Sequence, residues 1–185
     1  MEDVGRLKRI TGPGLPAYGV EYDWQRDVDT FIVSDRIASV AYKSDGDTTL
    51  VSTTRNHDLD RPVLMSVENR DETGAGQTIS KYTYAYDGLR RRTSVVNEGT
   101  AFPKDQSTDP DGFFNLWRYN SRGELTGSWR GRGTTVPDNP PPSDEKTAER
   151  RAHTYDNIGN RKDYTSGTGS PLYYCTDRKR DITDY

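Results

Sequence analysis

The chain has 185 residues and a formal net charge of −3, which makes nucleic acid an unfavourable partner. Apolar residues never run for the roughly 20 positions that a membrane span requires, and the single cysteine, Cys175, excludes an internal disulfide framework. The chain holds 30 Leu, Ile, Val and Phe against 12 Tyr and 17 Gly, with few helix-favouring residues. This composition predicts a turn-rich, all-β protein.

Internal repeats begin near the N-terminus as partial copies of one unit. Residues 3–10 and 35–40 each combine an acid, an Arg and spaced apolar positions. Residues 54–67 form a fuller but loose copy, in which His57-Asp58 replaces the Tyr-Asp pair of later copies. We therefore expect degenerate units over residues 1–53 and clearer ones from residue 54.

Three clear copies follow, over residues 81–96, 116–129 and 152–164, and a last one begins at Tyr173 close to the C-terminus. The steps from Asp58 to Asp87, Asn120 and Asp156 are 29, 33 and 36 residues. Such spacing is typical of an array of supersecondary units, each too small to bury its own apolar face.

Each copy predicts a β-hairpin. Tyr82, Tyr84 and Tyr86 alternate along a strand before the acid. An Asn or Asp then opens a turn, and in two copies a Gly stands at its fourth position, which are type I turn preferences. The predicted structural turn residues are Asp87, Asn120, Gly123, Asp156 and Gly159.

The strand after the turn has an irregular apolar pattern. Leu125 and Trp129 are four positions apart, which predicts that they share one face. In other copies the step is three, as in the pair Leu64 and Val67. An odd step means either that both faces are partly buried or that a bulge intervenes, and the pattern leaves both open.

These hairpins predict a single array over residues 1–185, arranged as a curved antiparallel sheet. Its parts are degenerate units over 1–53, clearer units over 54–130, a Pro/Gly-rich excursion over 131–149 that we expect to be disordered, and terminal units over 150–185. A single hairpin is marginal in water, so the array is expected to be the cooperative structure.

The most suggestive candidate binding surface is Trp117, Arg118, Tyr119, Trp129 and Arg130. Rings beside guanidinium groups can bind a glycan or a single strand of nucleic acid. The favoured alternative is cross-strand aromatic packing with Arg stems covering the rings.

No catalytic residue, metal site or cofactor is predicted. Asp87 and Asp156 recur once per repeat at a turn, which is better explained by capping than by catalysis. His57 and His153 have no nucleophile partner in the pattern. A calcium loop over residues 107–118 fails because Arg118 stands where a bidentate Glu is required.

The repeated Tyr-Asp-x-x-Gly pattern resembles the RHS, or YD-repeat, family. The resemblance is carried by residues 155–161, by Tyr86-Asp87 with residues 90–95, and by Tyr119-Asn120 with Gly123-Glu124-Leu125. The sequence departs from the family pattern at His57-Asp58, at Asn120 and at Arg90, where Gly is expected but stands instead at position 88.

The resemblance implies a spiral of β-hairpins that winds into a hollow shell. In bacterial relatives the shell encloses a C-terminal toxic domain, and in teneurin-like surface proteins it serves adhesion. It therefore implies a secreted or cell-surface setting, although residues 1–6 lack a signal peptide's basic start. The implied partners are the rest of a longer chain or an enclosed domain, with a glycan as the second partner to test.

The size of the array limits what it can do alone. Six hairpins supply about twelve strands, and at about 4.8 Å per strand a closed ring would be only about 18 Å across. A 100-residue passenger is wider than about 30 Å. We therefore expect a fragment of a larger wall, structural and without enzymatic activity, with a carbohydrate-binding or adhesion module as the alternative.

Overall fold

The chain folds into antiparallel β-hairpins, as predicted. The structure is a computed structural model that describes residues 5–26, 33–102, 111–138, 149–167 and 172–173. The chain forms two compact units. The first comprises residues 1–85 and 97–103, and the second comprises residues 86–96 and 104–185. Within each unit the strands pair in chain order.

The first unit contains the first six strands, the last of which extends one residue beyond it, to Tyr86. They are β1 (Arg9–Ile10), β2 (Gly19–Arg26), β3 (Val33–Lys43), β4 (Thr49–His57), β5 (Leu64–Asp71) and β6 (Gln77–Tyr86), with a short 3-10 turn at Asp45–Asp47 between β3 and β4. Strands β1–β3 lie within residues 1–53, so the degenerate copies also form regular strands.

The second unit contains the later strands, although the last two residues of the first of these, Asn97 and Glu98, belong to the first unit. They are β7 (Arg92–Glu98), β8 (Phe113–Tyr119), β9 (Leu125–Arg132), β10 (Arg151–Tyr155), β11 (Arg161–Ser166) and β12 (Leu172–Tyr173). Strand β9 continues to Arg132, inside the predicted excursion over 131–149, and residues 139–148 of that excursion lie outside the described residues. Cys175 and most of the last repeat copy lie outside them too.

A β-bulge explains the step of three in β3. Ile37 lies opposite Trp24, and Val40 lies opposite Tyr22, so Ala38 is an extra residue in the pairing. Because Trp24 and Tyr22 are two positions apart, Ile37 and Val40 share one face. The bulge therefore brings an odd-spaced apolar pair to the same side of the sheet.

Strand β5 contains a β-bulge of the same kind. Leu64 lies opposite His57, and Val67 lies opposite Arg55, with Met65 as the extra residue. Of the two alternatives that the pattern left open, a bulge accounts for this pair.

A bulge also corrects one prediction for β9. Trp129 lies opposite Leu116, whereas Leu125 lies opposite Tyr119, because Thr126 is an extra residue. Leu116 and Tyr119 are three positions apart in a regular strand and so point to opposite faces. The prediction that Leu125 and Trp129 share a face is wrong, since simple alternation does not register the extra residue.

The apolar core is small. In the second unit it consists of Val95, Phe113, Phe114 and Leu116, and in the first unit Val20 is buried. Phe113 and Phe114 are adjacent, so both faces of β8 are covered at this point. The sheet therefore has an apolar core despite the low aliphatic content of the chain.

Polar ladders supplement the core of the first unit. The Thr53 hydroxyl donates to Asn69 Oδ1 over 2.8 Å, and Asn69 Nδ2 donates to the Ser80 hydroxyl over 2.9 Å. Ser80 is buried. The three residues come from β4, β5 and β6, so one hydrogen-bonded line joins three consecutive strands.

In the part of the chain that the structure describes, no helix has the length and apolar character needed to cross a membrane.

Candidate functional site

Three turns of the second unit share one geometry. The turns open at Asp87, Asn120 and Asp156, as predicted, and in each the opening N–H donates to the carbonyl four residues on, over 2.9–3.0 Å. The N–H three residues on donates back to the opening carbonyl, over 3.0–3.3 Å. This pattern is a type I turn followed by a bulged residue, a common three-residue hairpin loop.

The opening side chain caps backbone donors. Asp156 Oδ1 accepts the N–H of Ile158 over 3.0 Å and of Asn160 over 2.8 Å. The same two positions are capped in the other turns: Asp87 Oδ1 accepts from Leu89 and Arg91, and Asn120 Oδ1 accepts from Arg122 and Glu124. The side-chain oxygen of an acid or amide at this position therefore accepts hydrogen bonds from two amides of its own turn.

The fourth turn position requires a left-handed backbone. Gly123 has φ of 85° and Gly159 has φ of 93°. Arg90 occupies the equivalent position with φ of 64°, so the displaced glycine of this copy leaves a non-glycine residue in a conformation that favours Gly. Gly88, where the glycine stands instead, has no positive φ.

The Asp58 turn is one residue longer. Asp58 N–H donates to Val63 O over 3.0 Å, and Asp58 Oδ1 accepts the N–H of Asp60 and Arg61. The Arg61 guanidinium then binds the second carboxylate oxygen over 2.6 Å. The His57-Asp58 copy thus keeps the capping function of the repeat with an altered loop.

Hydrogen bonds hold these carboxylates in the charged form. Burial alone would raise the pKa of Asp87 and of Asp156, but the turn N–H groups and the side chains of Arg91 and Asn160 outweigh it and lower both pKa values. The pKa of Asp58 is lowered chiefly by the Arg61 side chain. These acids therefore stay ionised as turn acceptors.

Arginine side chains link one turn to the next. Arg91 Nη1 donates to Asn120 O over 3.4 Å, and its guanidinium lies 4.6 Å from the Tyr119 ring centroid. Arg122 donates to Asp156 O over 2.6 Å and to Asn157 O over 2.8 Å. Sequence reasoning assigned no such role to Arg91 or Arg122, although the available signal was an Arg two to four positions after the Asp or Asn that opens the turn.

The tyrosine of the Tyr-Asp pair makes a second link. Tyr119 donates its hydroxyl to Arg92 O over 2.9 Å, and Tyr155 donates its hydroxyl to Leu125 O over 2.8 Å. Arg92 and Leu125 each stand five positions after the opening residue of the preceding turn. The motif residue therefore binds an equivalent atom of the preceding hairpin in both copies.

The predicted binding surface is divided between two faces. Trp117, Tyr119 and Arg130 lie on one face of the β8–β9 hairpin, since Arg130 is opposite Asn115. Arg118 and Trp129 lie on the other face, where Trp129 is opposite Leu116. The structure does not bring the five residues onto one surface.

Each half of this set makes contacts within the second unit. Arg130 lies 4.9 Å from the Phe113 ring centroid and 3.5 Å from Glu149 Oε2. Arg118 donates to the Asp138 carbonyl, and the Trp129 ring covers Gly127. Contacts of this kind are those expected if these residues pack against their neighbours, with guanidinium groups and rings covering one another, and do not form a binding surface.

The two histidines occupy separate environments. His153 is stacked on Tyr164, its cross-strand partner, with centroids 5.6 Å apart. His57 lies at the end of β4 in the first unit. Burial lowers the pKa of both, with nearby arginines as the second cause. Among the described residues no three His, Cys, Asp or Glu side chains converge as a metal site.

The chain resembles known proteins in its fold and not in its sequence family. No protein-family model and no curated protein matches the chain. Among solved structures the chain is similar to the crystal structure of TcdB2-TccC3-Cdc42, with 16% identity and a TM-score of 0.45. The match covers 84% of this chain and 8% of that chain, so the chain spans a small part of its neighbour's length.

Proposed function

We propose that the chain is a non-catalytic structural segment of an RHS/YD-repeat shell, within a larger secreted or surface protein of the polymorphic-toxin type. The observation that carries the proposal is that the residues defining the repeat also join one repeat to the next. Tyr119 and Tyr155 bind equivalent carbonyls of the preceding hairpins. A wall built of small hairpins needs such links because each hairpin alone is marginal.

The use of the charged groups also supports a structural function. The carboxylates of Asp87 and Asp156 accept hydrogen bonds from their own turns, and Arg91 and Arg122 bind neighbouring turn carbonyls. Groups engaged in this way are poor general acids or bases, which must exchange protons with a substrate. Turnover of any substrate that a single-residue variant abolishes would contradict the non-catalytic proposal.

The partners proposed for this segment are the remainder of a longer chain of the same repeats, or a domain that such a shell encloses. The alternative function is carbohydrate binding or adhesion through the β8–β9 hairpin. The two tryptophans of this hairpin are Trp117 on one face and Trp129 on the other, so a glycan could stack on only one of them. Titration of glycans against Trp117→Ala and Trp129→Ala tests this alternative, which requires saturable binding that one variant weakens.

The inter-repeat links are tested by removing single hydroxyl groups. Tyr119→Phe and Tyr155→Phe should each lower the free energy of unfolding by about 0.5–1.5 kcal/mol, the net value of one hydrogen bond. Tyr42→Phe is the matched control, since Tyr42 is exposed and its hydroxyl has no hydrogen-bond partner among the described residues. Chemical denaturation of the three variants measures the difference, and equal losses in all three would refute the links.

A further inference from the structure

The most exposed large hydrophobic side chains of the described residues lie at the tips of the repeated turns. They are Leu59, which is 63% exposed, Leu89 at 71% and Ile158 at 83%. Each stands one or two positions after the aspartate that opens its turn. Single exposed hydrophobic residues are ordinary on a protein surface, but these recur at one place in the repeat. The packing of the sheet does not account for them, because it leaves all three in solvent.

Two of these side chains, Leu89 and Ile158, share one edge of the second unit. Both stand two positions after the opening residue of their turns. The turn of Asn120 lies between the two, and Arg91 and Arg122 link the three turns in a row. Four strand spacings of about 4.8 Å separate the outer turns, so the two aliphatic side chains are about 19 Å apart.

The backbone of these tips is already hydrogen-bonded. The Leu89 N–H donates to Asp87 Oδ1 over 2.9 Å, and the Ile158 N–H donates to Asp156 Oδ1 over 3.0 Å. In the second of these turns the Asp156 carbonyl also accepts from Arg122 over 2.6 Å. An unpaired backbone group is costly to remove from water. Both tips can therefore enter an apolar environment without leaving these N–H groups unpaired.

The same edge has a surplus of positive charge. Its three turn segments, residues 86–92, 119–125 and 155–161, contain five Arg against three acids, whereas the whole chain has a net charge of −3. Each acid is bound within its own turn. Arg90 and the next residue of β11, Lys162, are exposed, and their side chains have no partner in the described part of the chain. The edge therefore offers cationic groups beside the aliphatic tips.

A lipid surface fits this arrangement better than a protein partner. A stable protein interface needs a contiguous apolar centre within roughly 800 Å² on each partner. Leu89 and Ile158 are instead separated by the polar tip of the middle turn, which consists of Ser121 and Arg122. A fluid bilayer can surround each aliphatic side chain separately, and anionic headgroups attract the neighbouring cations.

We propose that this edge of the second unit docks on an anionic lipid surface. Leu89 and Ile158 enter the boundary between headgroups and acyl chains, and Arg90 and Lys162 lie against the headgroups. This inference is independent of the structural function proposed above, because none of these four side chains takes part in the links between turns.

Co-sedimentation of the full chain with lipid vesicles tests the proposal. Phosphatidylcholine vesicles that contain about one third phosphatidylserine present an anionic surface, and vesicles of phosphatidylcholine alone are the comparison. Binding to the first should be saturable and weakened by salt, and binding to the second should be at least about tenfold weaker. The absence of saturable binding to the anionic vesicles, or equal binding to both, would overturn the proposal.

Single substitutions locate the docking surface. Leu89→Ser and Ile158→Ser should each weaken binding about tenfold, because each removes one inserted aliphatic side chain. Leu7→Ser is the matched control, since Leu7 is 49% exposed in the first unit, and it should leave binding unchanged. Lys162→Gln should weaken binding to the anionic vesicles about fivefold, whereas Lys8→Gln in the first unit should not.

Thermal unfolding shows whether each variant keeps the parent fold, as expected for side chains that lie mainly in solvent. Full affinity for the anionic vesicles in both Leu89→Ser and Ile158→Ser would mean that the surface recognises anions without inserting, and the proposal would be wrong. An equal loss in Leu7→Ser, or in Lys8→Gln as in Lys162→Gln, would place the lipid contact elsewhere and would also overturn it.

Discussion

The contact between Gly131 and Phe114 offers the sharpest test of the β8–β9 register. The two residues lie directly opposite each other, and Phe114 is only 2% exposed. A Cβ at Gly131 would lie 2.2 Å from Phe114 Cζ and 2.6 Å from Cε1. Both distances are far below van der Waals contact, so Gly131→Ala must displace a buried ring.

The expected cost follows from this overlap. Inserting a methyl group into a packed core costs about 1–3 kcal/mol, which is partly offset by about 0.5–1 kcal/mol because Ala loses less backbone entropy than Gly on folding. The thermal midpoint of a chain of this size falls by about 2–4 °C per kcal/mol. Differential scanning calorimetry should therefore record a net fall for Gly131→Ala.

Gly88→Ala is the matched control. A Cβ at Gly88 would meet nothing within 4 Å, so the thermal midpoint should stay the same or rise slightly, since Ala restricts the unfolded chain. In a Phe114→Leu background the smaller side chain should reduce the cost of Gly131→Ala. The register would be refuted if Gly131→Ala matched the parent, or if its cost were unchanged with Leu at position 114.

Three further predictions concern turns and charges. Arg90→Gly should raise the unfolding free energy by about 0.5–1 kcal/mol, because Arg90 holds φ of 64°; a loss on chemical denaturation would contradict this. Asn120→Ala should cost about 1 kcal/mol more than Ser121→Ala, because the amide oxygen caps two N–H groups; equal costs would contradict the capping. Burial lowers the pKa of His57 and His153, so the unfolded chain binds protons first as the pH falls. Their contribution to stability is present above the ordinary histidine pKa and is lost as the pH falls towards the lowered values. The fall in thermal midpoint from about pH 7 to about pH 5 should be smaller in the double variant His57→Gln/His153→Gln, and an unchanged fall would contradict the pKa directions.

The hairpins and their turns were predictable because their signals are local. An Asp or Asn followed three positions later by Gly encodes a turn whose acceptor and donors lie within five residues, as at Asp156 and Gly159. The displaced glycine marked a departure from the repeat pattern, and the structure places Arg90 in the left-handed position of an otherwise equivalent turn.

Properties that depend on pairing between strands were not predictable. The bulge residues Ala38, Met65 and Thr126 have no common side chain, yet each changes which residues share a face. Trp129 is on the opposite face from Leu125 for this reason.

Amide hydrogen exchange tests the central claim that a side-chain oxygen caps each repeated turn. The N–H groups of Arg91, Glu124 and Asn160 donate to the opening side chains of their turns, whereas those of Ser121 and Asn157 have no acceptor among the described residues. Exchange measured residue by residue by NMR should be several-fold slower for the first three than for the other two. Equally fast exchange at all five amides would contradict the claim.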